Sequence, residues 1–399
     1  MGEFQLEIAR VKELKVIGKI QTFVRSKKLA KTLPGILCCI AIMFLGIVLS
    51  NWLGTVLTYL GVLPSGSSSP ISGIFVSIIL GLLIRNVIGM HTLFIDGVRF
   101  AMKFFLKLGI ILIGFRLSIV DVIRLGGWGL PIVVICILSG LFITIFFTKK
   151  LKQSTRLGTL VACGTGICGV TAIMAVSPAI KASDDEISYA IANITLFGLI
   201  GMLIYPFLAF YLFNNDPIRV GLFLGTAIHD TAQVTGAALM YNQSFNIEKV
   251  IDIATITKLT RNFFIIAVVP IMSYFFLQNK QAKTEEQIIP KWYKLIPYFV
   301  IGFLAMAIIR SIGDANLVHN NSAFGILSPE NWNATHSFVS TVGSKYMLGI
   351  AMAAVGLSTS FRIFKGLGLK PLYIGFIAAL SVGLVSLGMV YLLGGFITI

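Results

Sequence analysis

Long apolar runs follow one another along this chain, separated by short polar or charged stretches. A helix needs about 20 apolar residues to cross a bilayer. Eleven runs approach or exceed that length: 34–62, 71–90, 98–120, 129–148, 157–180, 187–213, 218–240, 249–277, 294–312, 335–360 and 371–396. For the shorter 71–90 and 218–240 runs, re-entry is the alternative to spanning. The pattern predicts an all-α polytopic membrane protein of ten or eleven transmembrane helices, one transmembrane domain over 34–399. Upstream, 1–33 reads as a basic cytoplasmic helix. Phe4, Ile8, Val11 and Leu14 share one stripe at helical spacing, and Gly18 interrupts it.

Composition supports the membrane class. Only 12% of the 399 residues are charged and 56% are hydrophobic, against about 25% charged in a soluble domain. A soluble multidomain enzyme, a nucleic-acid reader and a disordered chain are excluded. The formal net charge of +16 then describes orientation, because cytoplasmic loops collect Lys and Arg. Arg10, Lys12, Lys15, Lys19, Arg25, Lys27, Lys28 and Lys31 precede the first run. Lys149, Lys150, Lys152 and Arg156 fall in one later loop, Lys280, Lys283 and Lys291 in another, Arg362, Lys365 and Lys370 in a third. The 63–70 and 313–334 loops carry no Lys or Arg. An inner-membrane protein with its N-terminus in the cytoplasm and its C-terminus outside satisfies this bias.

Three intramembrane segments carry chemistry. In Cys163-Gly164-Thr165-Gly166-Ile167-Cys168-Gly169-Val170-Thr171, three glycines within six residues each cost about 1 kcal/mol in a helix interior. A broken helix whose amides and hydroxyls hold a substrate explains them, and Pro178 adds a second breaking signal. A small-residue packing face is the alternative. The second segment, Gly225-Thr226-Ala227-Ile228-His229-Asp230-Thr231-Ala232-Gln233, echoes the first. On a continuous helix Thr226, His229, Asp230 and Gln233 share one face. Ionisable groups at membrane depth are expensive and default to function, so His229 and Asp230 are proton-coupling candidates. The alternative is a structural polar knot. The third segment holds Asp252, Thr255, Lys258, Arg261 and Asn262. Lys258 and Arg261 would offset an anion's charge, Arg by its fork, with Asp230 or Asp252 as neutralising partner; a buried ion-pair lock is the competing reading. Asn193 and Thr195 suit packing hydrogen bonds. Arg116 suits snorkelling to the interface, and the Arg99, Lys103, Lys107 row suits lipid headgroups.

A weak internal similarity recurs at an offset of 240 residues. Leu108-Gly109-Ile110 matches Leu348-Gly349-Ile350, and Gly126 and Pro131 match Gly366 and Pro371. The topology points the two copies in opposite directions, as in transporters built from inverted repeats. A second pairing joins 71–213 with 218–396, aligning 157–180 with 335–360 as two broken helices. Both pairings stay open. Cys38, Cys39, Cys136, Cys163 and Cys168 all lie in apolar runs, with no metal or disulfide spacing.

Five ordered stretches carry a resemblance: GVRFAMKFFLKLGIILIGFRLS from Gly97, CGTGICGVTAIMAVSPAIKA from Cys163, GTAIHDTAQV from Gly225, ATITKLTRN from Ala254 and AMAAVGLSTSFRIFKGLGLKPL from Ala351. From about residue 35 onward the chain resembles a family of bacterial membrane proteins labelled sulfate exporters. That family is distantly akin to the cation/proton antiporter and bile-acid symporter superfamily. The resemblance implies inverted five-helix repeats and two broken helices crossing near the midplane.

The expected function is secondary active transport of a small anion, sulfate or another sulfur-containing or carboxylic anion, coupled to protons by alternating access. The binding set is Gly164, Thr165, Gly166, Cys168, Gly169, Thr171, Thr226, Gln233, Lys258, Arg261 and Asn262. The expected partners are that anion, the bilayer and a coupling ion, proton or sodium, with a homodimer open and no nucleic acid. No cofactor, metal or catalysis is expected. A sodium- or proton-coupled cation antiporter using Asp230 and Asp252 is the alternative. An intramembrane enzyme built on Cys168 or His229, and a receptor or scaffold, rank below it.

Overall fold

The computed structural model describes residues 2–60, 72–278, 298–320, 322–360 and 369–397, with side chains from residue 31 onward except at 184, 277, 278, 319, 320, 344 and 369. The amphipathic stripe expected over 3–28, the 63–70 loop, Lys280, Lys283, Lys291, Arg362 and Lys365 lie outside that description. The described chain is all-helical: α1 (Gly2–Tyr59), α2 (Gly73–Leu83), α3 (Thr92–Ile113), α4 (Ile119–Lys150), α5 (Thr155–Gly166), α6 (Val170–Val176), α7 (Asp184–Phe213), α8 (Pro217–Ala227), α9 (Thr231–Phe245), α10 (Lys249–Phe263), α11 (Ile265–Gln278), α12 (Tyr298–Asn320), α13 (Pro329–Thr341), α14 (Leu348–Ser358) and α15 (Leu369–Leu393). In hydrocarbon every backbone polar group must bond within the protein, which leaves helices as the economical choice for such apolar runs. Serines cap the starts. Ser72, Ser118, Ser154, Ser183 and Ser328 each accept a backbone N–H of the first turn, and Ser183 forms a full capping box with Glu186.

Among the described residues six helices are long and apolar enough to cross a membrane: Lys31–Tyr59, Ile119–Lys150, Asp185–Phe213, Tyr298–Val318, Pro329–Ser358 and Lys370–Phe396. The bent pair α10–α11, angled by 40°, makes a seventh. A polytopic all-α membrane protein is thus what the chain forms. Three features differ from the expected layout. α3 is 22 residues long but carries Asp96, Arg99, Lys103 and Lys107, so its charge keeps it out of the apolar set. The 313–334 stretch is mostly helix. α12 continues to Asn320, a tight turn with positive φ at Phe324 and Gly325 reverses the chain, and α13 starts at Pro329. Asp314 and Trp332 fasten this corner by an indole N–H···carboxylate bond of 2.8 Å.

The third difference is the largest. The Gly-rich 157–180 segment breaks where expected, at 167–169, but the chain then reverses instead of running on. Gly164 of α5 packs against Ile173 of α6, so the two arms lie side by side. Ser154 before α5 donates to Glu186 in the first turn of α7 at 2.7 Å, so the segment ends where it began. Gly169, with φ +65° and ψ −122°, makes the reversal in a conformation that a side chain would strain. The 218–240 segment also folds back. Its tip is 228–230, and Tyr241 near the end of α9 donates to Asn215 just before α8 at 3.0 Å. α10 then runs parallel to α8, with Gly221 against Ile253 and Gly225 against Thr257. Both segments are re-entrant helical hairpins. Between their bases α7 runs 30 residues, about 45 Å, so the hairpins enter from its opposite ends.

The helices sort into two groups. α1, α2, α3, α12, α13 and α14 pack mainly on one another, and α4 to α11 with α15 form the second group around the hairpins. A seam separates them, crossed chiefly by α9 against α2 and α14 and by α4 against α12. The elements matched at the 240-residue offset are direct neighbours: α3 packs on α14, with Gly109 against Leu348, and α4 packs on α15. The other pairing needs a break within 335–360. There the chain stays helical from Pro329 to Ser358, passing through a π-helical segment at Val342–Met347.

Candidate functional site

The two hairpin tips meet beside the middle of α7. Gly169 of the first lies against Asp230 of the second, so close that an added Cβ would sit 3.1 Å from Asp230 Oδ1. α5 and α8 each end at a tip and leave carbonyls without intrahelical partners, as every helix C-terminus does. α10 supplies the missing donors. Arg261 Nε donates to Gly166 O at 2.9 Å, Nη2 to Thr165 O at 2.5 Å and Nη1 to Thr226 O at 2.6 Å. Lys258 Nζ donates to Ile167 O and Ile228 O, each at 3.0 Å, and to His229 O. Both side chains are 0% exposed. One cationic face of α10 therefore fastens both tips at once.

This arrangement accounts for the charges. A helix C-terminus is equivalent to about half a negative charge, and two such ends converge here. Asp230 adds a carboxylate that feels the Lys258 charge. Two cations, one carboxylate and two helix ends come close to balance. The carboxylate also caps α9: Asp230 Oδ2 accepts from Ala232 N–H at 3.0 Å, occupying the positive end of that helix. Asp230 is half-buried, whereas Lys258 and Arg261 behind it are sealed from solvent.

The remaining candidates divide. Gly164, Thr165, Gly166, Cys168 and Gly169 all lie in or beside the first tip and are buried. The Thr165 hydroxyl and His229 Nδ1 are buried without a hydrogen-bond partner, and the His229 ring lies beside the Thr165 backbone. Thr171 is exposed, and its hydroxyl neighbours the Cys168 thiol. Thr226 turns its hydroxyl away from the tips to Ser386 of α15 at 2.7 Å, and only its carbonyl belongs to the Arg261 network. Gln233 donates to Thr195 O at 2.9 Å and packs on Gly198 of α7. Asn262 donates to Thr231 Oγ1 at 3.3 Å, at the start of α9. Asn193 donates to Pro371 O at 2.8 Å, the packing role expected of it.

Two sequence expectations need correction. Thr226, His229, Asp230 and Gln233 do not share one helical face, because 228–230 is extended and reverses the chain. Arg116 does not snorkel to the interface. Its side chain is 7% exposed and forms ion pairs with Asp252, at 3.0 Å from Nε, and with Glu248. Asp252 is therefore the partner of Arg116, not of Lys258 or Arg261. Sequence reading missed this cluster because its members lie 132 and 136 residues apart. It missed the carbonyl network because backbone atoms carry no residue signature. No group of three or more metal-ligating side chains occurs among the described residues.

Residues 45–375 match the family described as Conserved hypothetical protein 698. The chain is 34% identical over 334 residues to a UPF0324 membrane protein of Fusobacterium nucleatum, covering 82% of this chain and 91% of the relative. It is 34% identical over 324 residues to one of Bacillus anthracis, covering 80% and 86%. To one of Streptococcus agalactiae it is 30% identical over 363 residues, covering 91% and 98%. Each relative is described as a membrane protein.

Proposed function

The chain belongs to the Conserved hypothetical protein 698 family of bacterial membrane proteins, and from that premise we propose that it is a secondary active transporter of a small anion, coupled to protons. Sulfate or another sulfur-containing or carboxylic anion is the substrate class. The protein sits in the inner membrane, N-terminus in the cytoplasm and C-terminus outside, in keeping with its basic loops.

One observation carries the reading: Asp230 occupies the N-terminus of α9 at the meeting point of two hairpin tips, with two buried cations behind it. The local charge is close to balanced while Asp230 is ionised. A proton on Asp230 removes one negative charge and weakens the bond from the Ala232 N–H. About one positive charge is then uncompensated, and a small anion takes the place of the carboxylate. Proton and anion thus bind together, because each makes room for the other. His229 and the Thr165 hydroxyl, both with unused hydrogen-bonding capacity, are the groups placed to contact the pair. Lys258 and Arg261 act through the carbonyls they hold, setting the positive field without touching substrate. Alternating access would move the hairpin group along the seam against the α1–α3, α12–α14 group.

Purified protein in liposomes, given a panel of sulfate, sulfonates and carboxylates with and without a pH gradient, tests this. The expected result is flux of at least one anion that a pH gradient accelerates. In Asp230→Asn, flux survives and its pH dependence is lost. No flux for any anion would sink the anion reading. Sodium-dependent flux abolished by Asp230→Asn would favour the cation antiporter instead.

A further inference from the structure

The polar ties across the seam gather at one end of the molecule. Arg116, in the short 3-10 turn that ends α3, bonds three residues from other helices. Its Nη2 donates to Asp252 Oδ2 at 3.3 Å, its Nε stands 3.0 Å from Asp252 Oδ1 as an ion-pair contact, and its Nη1 reaches Glu248 and, at 3.2 Å, Ser340 Oγ. Asp252 lies in the first turn of α10 and Glu248 just before it, both in the hairpin group. Arg116 and Ser340 belong to the other group, on α3 and α13. At the same end Gln243 of α9 accepts from Ile74 N at 3.2 Å, and Ser311 of α12 accepts from Ile119 N at 2.8 Å. Deeper in the seam the contact is apolar, with Gly236 of α9 against Met352 of α14.

α10 joins this cluster to the site. Asp252 is six residues from Lys258, under two turns, and Lys258 and Arg261 hold both tips. A displacement of α10 that parts the seam must break the Arg116–Asp252 ion pair, and a displacement of the tips is carried to that pair by the same helix. We propose that Arg116 is the latch of a gate: its bonds to Asp252, Glu248 and Ser340 hold the hairpin group closed against the α3–α13 group on this face. Release of the latch opens the seam toward the tips from this side only. A buried arginine that ties carboxylates and a hydroxyl from two other helices suits such a role, since its charge pairing is strong while dry and weakens once water enters. The gate gives one half of the alternating access in the transporter reading, and on the proposed topology it faces outside.

The test reads accessibility, so it needs no substrate. Met240 on α9 is 1% exposed and lies on the stripe of Gly236 and Gln243, which faces the seam. Met240→Cys serves as reporter in a background whose five native cysteines are replaced by Ala or Ser. A membrane-impermeant thiol reagent is applied to whole cells and, separately, to inverted vesicles. With Arg116 intact, labelling from both sides is expected to be slow. With Arg116→Gln it becomes faster by about tenfold from one side only, and Arg116→Lys, which keeps the charge, restores part of the protection. Asp252→Asn should reproduce the one-sided increase. Equal labelling with and without Arg116, in protein that is monodisperse in detergent, overturns the latch. Equal acceleration from both sides also overturns it, because that reports general loosening. Failed anion flux with one-sided labelling retained would reject the substrate reading and leave the gate standing.

Discussion

Arg261 shows how a charge buried in a membrane protein can be satisfied by backbone carbonyls instead of a carboxylate. Its three nitrogens are bonded to carbonyls at the ends of two different helices, and no exposed surface is left. Substituting Gln leaves those carbonyls buried with fewer donors, each worth about 1–3 kcal/mol when unsatisfied. The Arg261→Gln protein is expected to lose about 3–5 kcal/mol, read as a large fall in its thermal unfolding midpoint in detergent. Arg261→Lys keeps the charge but not the fork, and should fall in between. Thr171→Ala, at an exposed position of the same tip, should leave the midpoint almost unchanged. Lys258 and Arg261 were legible as important in the sequence, since charges at that depth need partners. Their partners were not legible, because a carbonyl is present at every residue. Their hydrogen bonds in the structure go to carbonyls at two helix ends.

A helix break and a helix hairpin are hard to tell apart by hydropathy, and the Gly-rich segments illustrate why. GTGICG and the TAIHDT stretch announce that the helix stops. Whether the chain then continues or reverses depends on what holds its far end. Here Glu186 holds the start of α5 and Asn215 holds the end of α9, contacts 32 and 26 residues apart that no local pattern records. The second hairpin supports a direct check. If α8 and α9 together crossed the bilayer, residues 215 and 241 would stand about 40 Å apart. As a hairpin they are in contact. Cysteines introduced by Asn215→Cys and Tyr241→Cys, in a background without the native cysteines, should be joined by a short bifunctional thiol reagent in intact membranes. The cross-link shows as a shift in peptide mass after digestion between the two sites. Failure to join, with each single cysteine reactive by itself, would show that the segment spans.

At the scale of the whole molecule, replacing two spans by two hairpins lowers the expected number of crossings from eleven to nine, an even change. The N-terminal and C-terminal sides are therefore the same on either count, and the basic loops at 149–156 and 362–370 keep their side. What changes is α7. With a spanning 157–180 segment, residues 181–183 lie outside and α7 runs inward, placing 214–216 in the cytoplasm. With the hairpin, Ser154 and Glu186 share a side, so 181–183 join the basic 149–154 loop inside and α7 runs outward. Lys181 then falls on the cytoplasmic side with the other loop cations, the better fit to the charge bias. Single cysteines by Lys181→Cys and Asn214→Cys decide between the two. The hairpin fold requires the first to react with an impermeant thiol reagent only in inverted vesicles and the second only in whole cells, and the spanning layout requires the reverse. Because the two hairpins enter from opposite ends of α7, the same experiment tests whether the tips are approached from both sides of the membrane. Alternating access needs that geometry: each side of the bilayer must reach Asp230 along its own hairpin, one at a time.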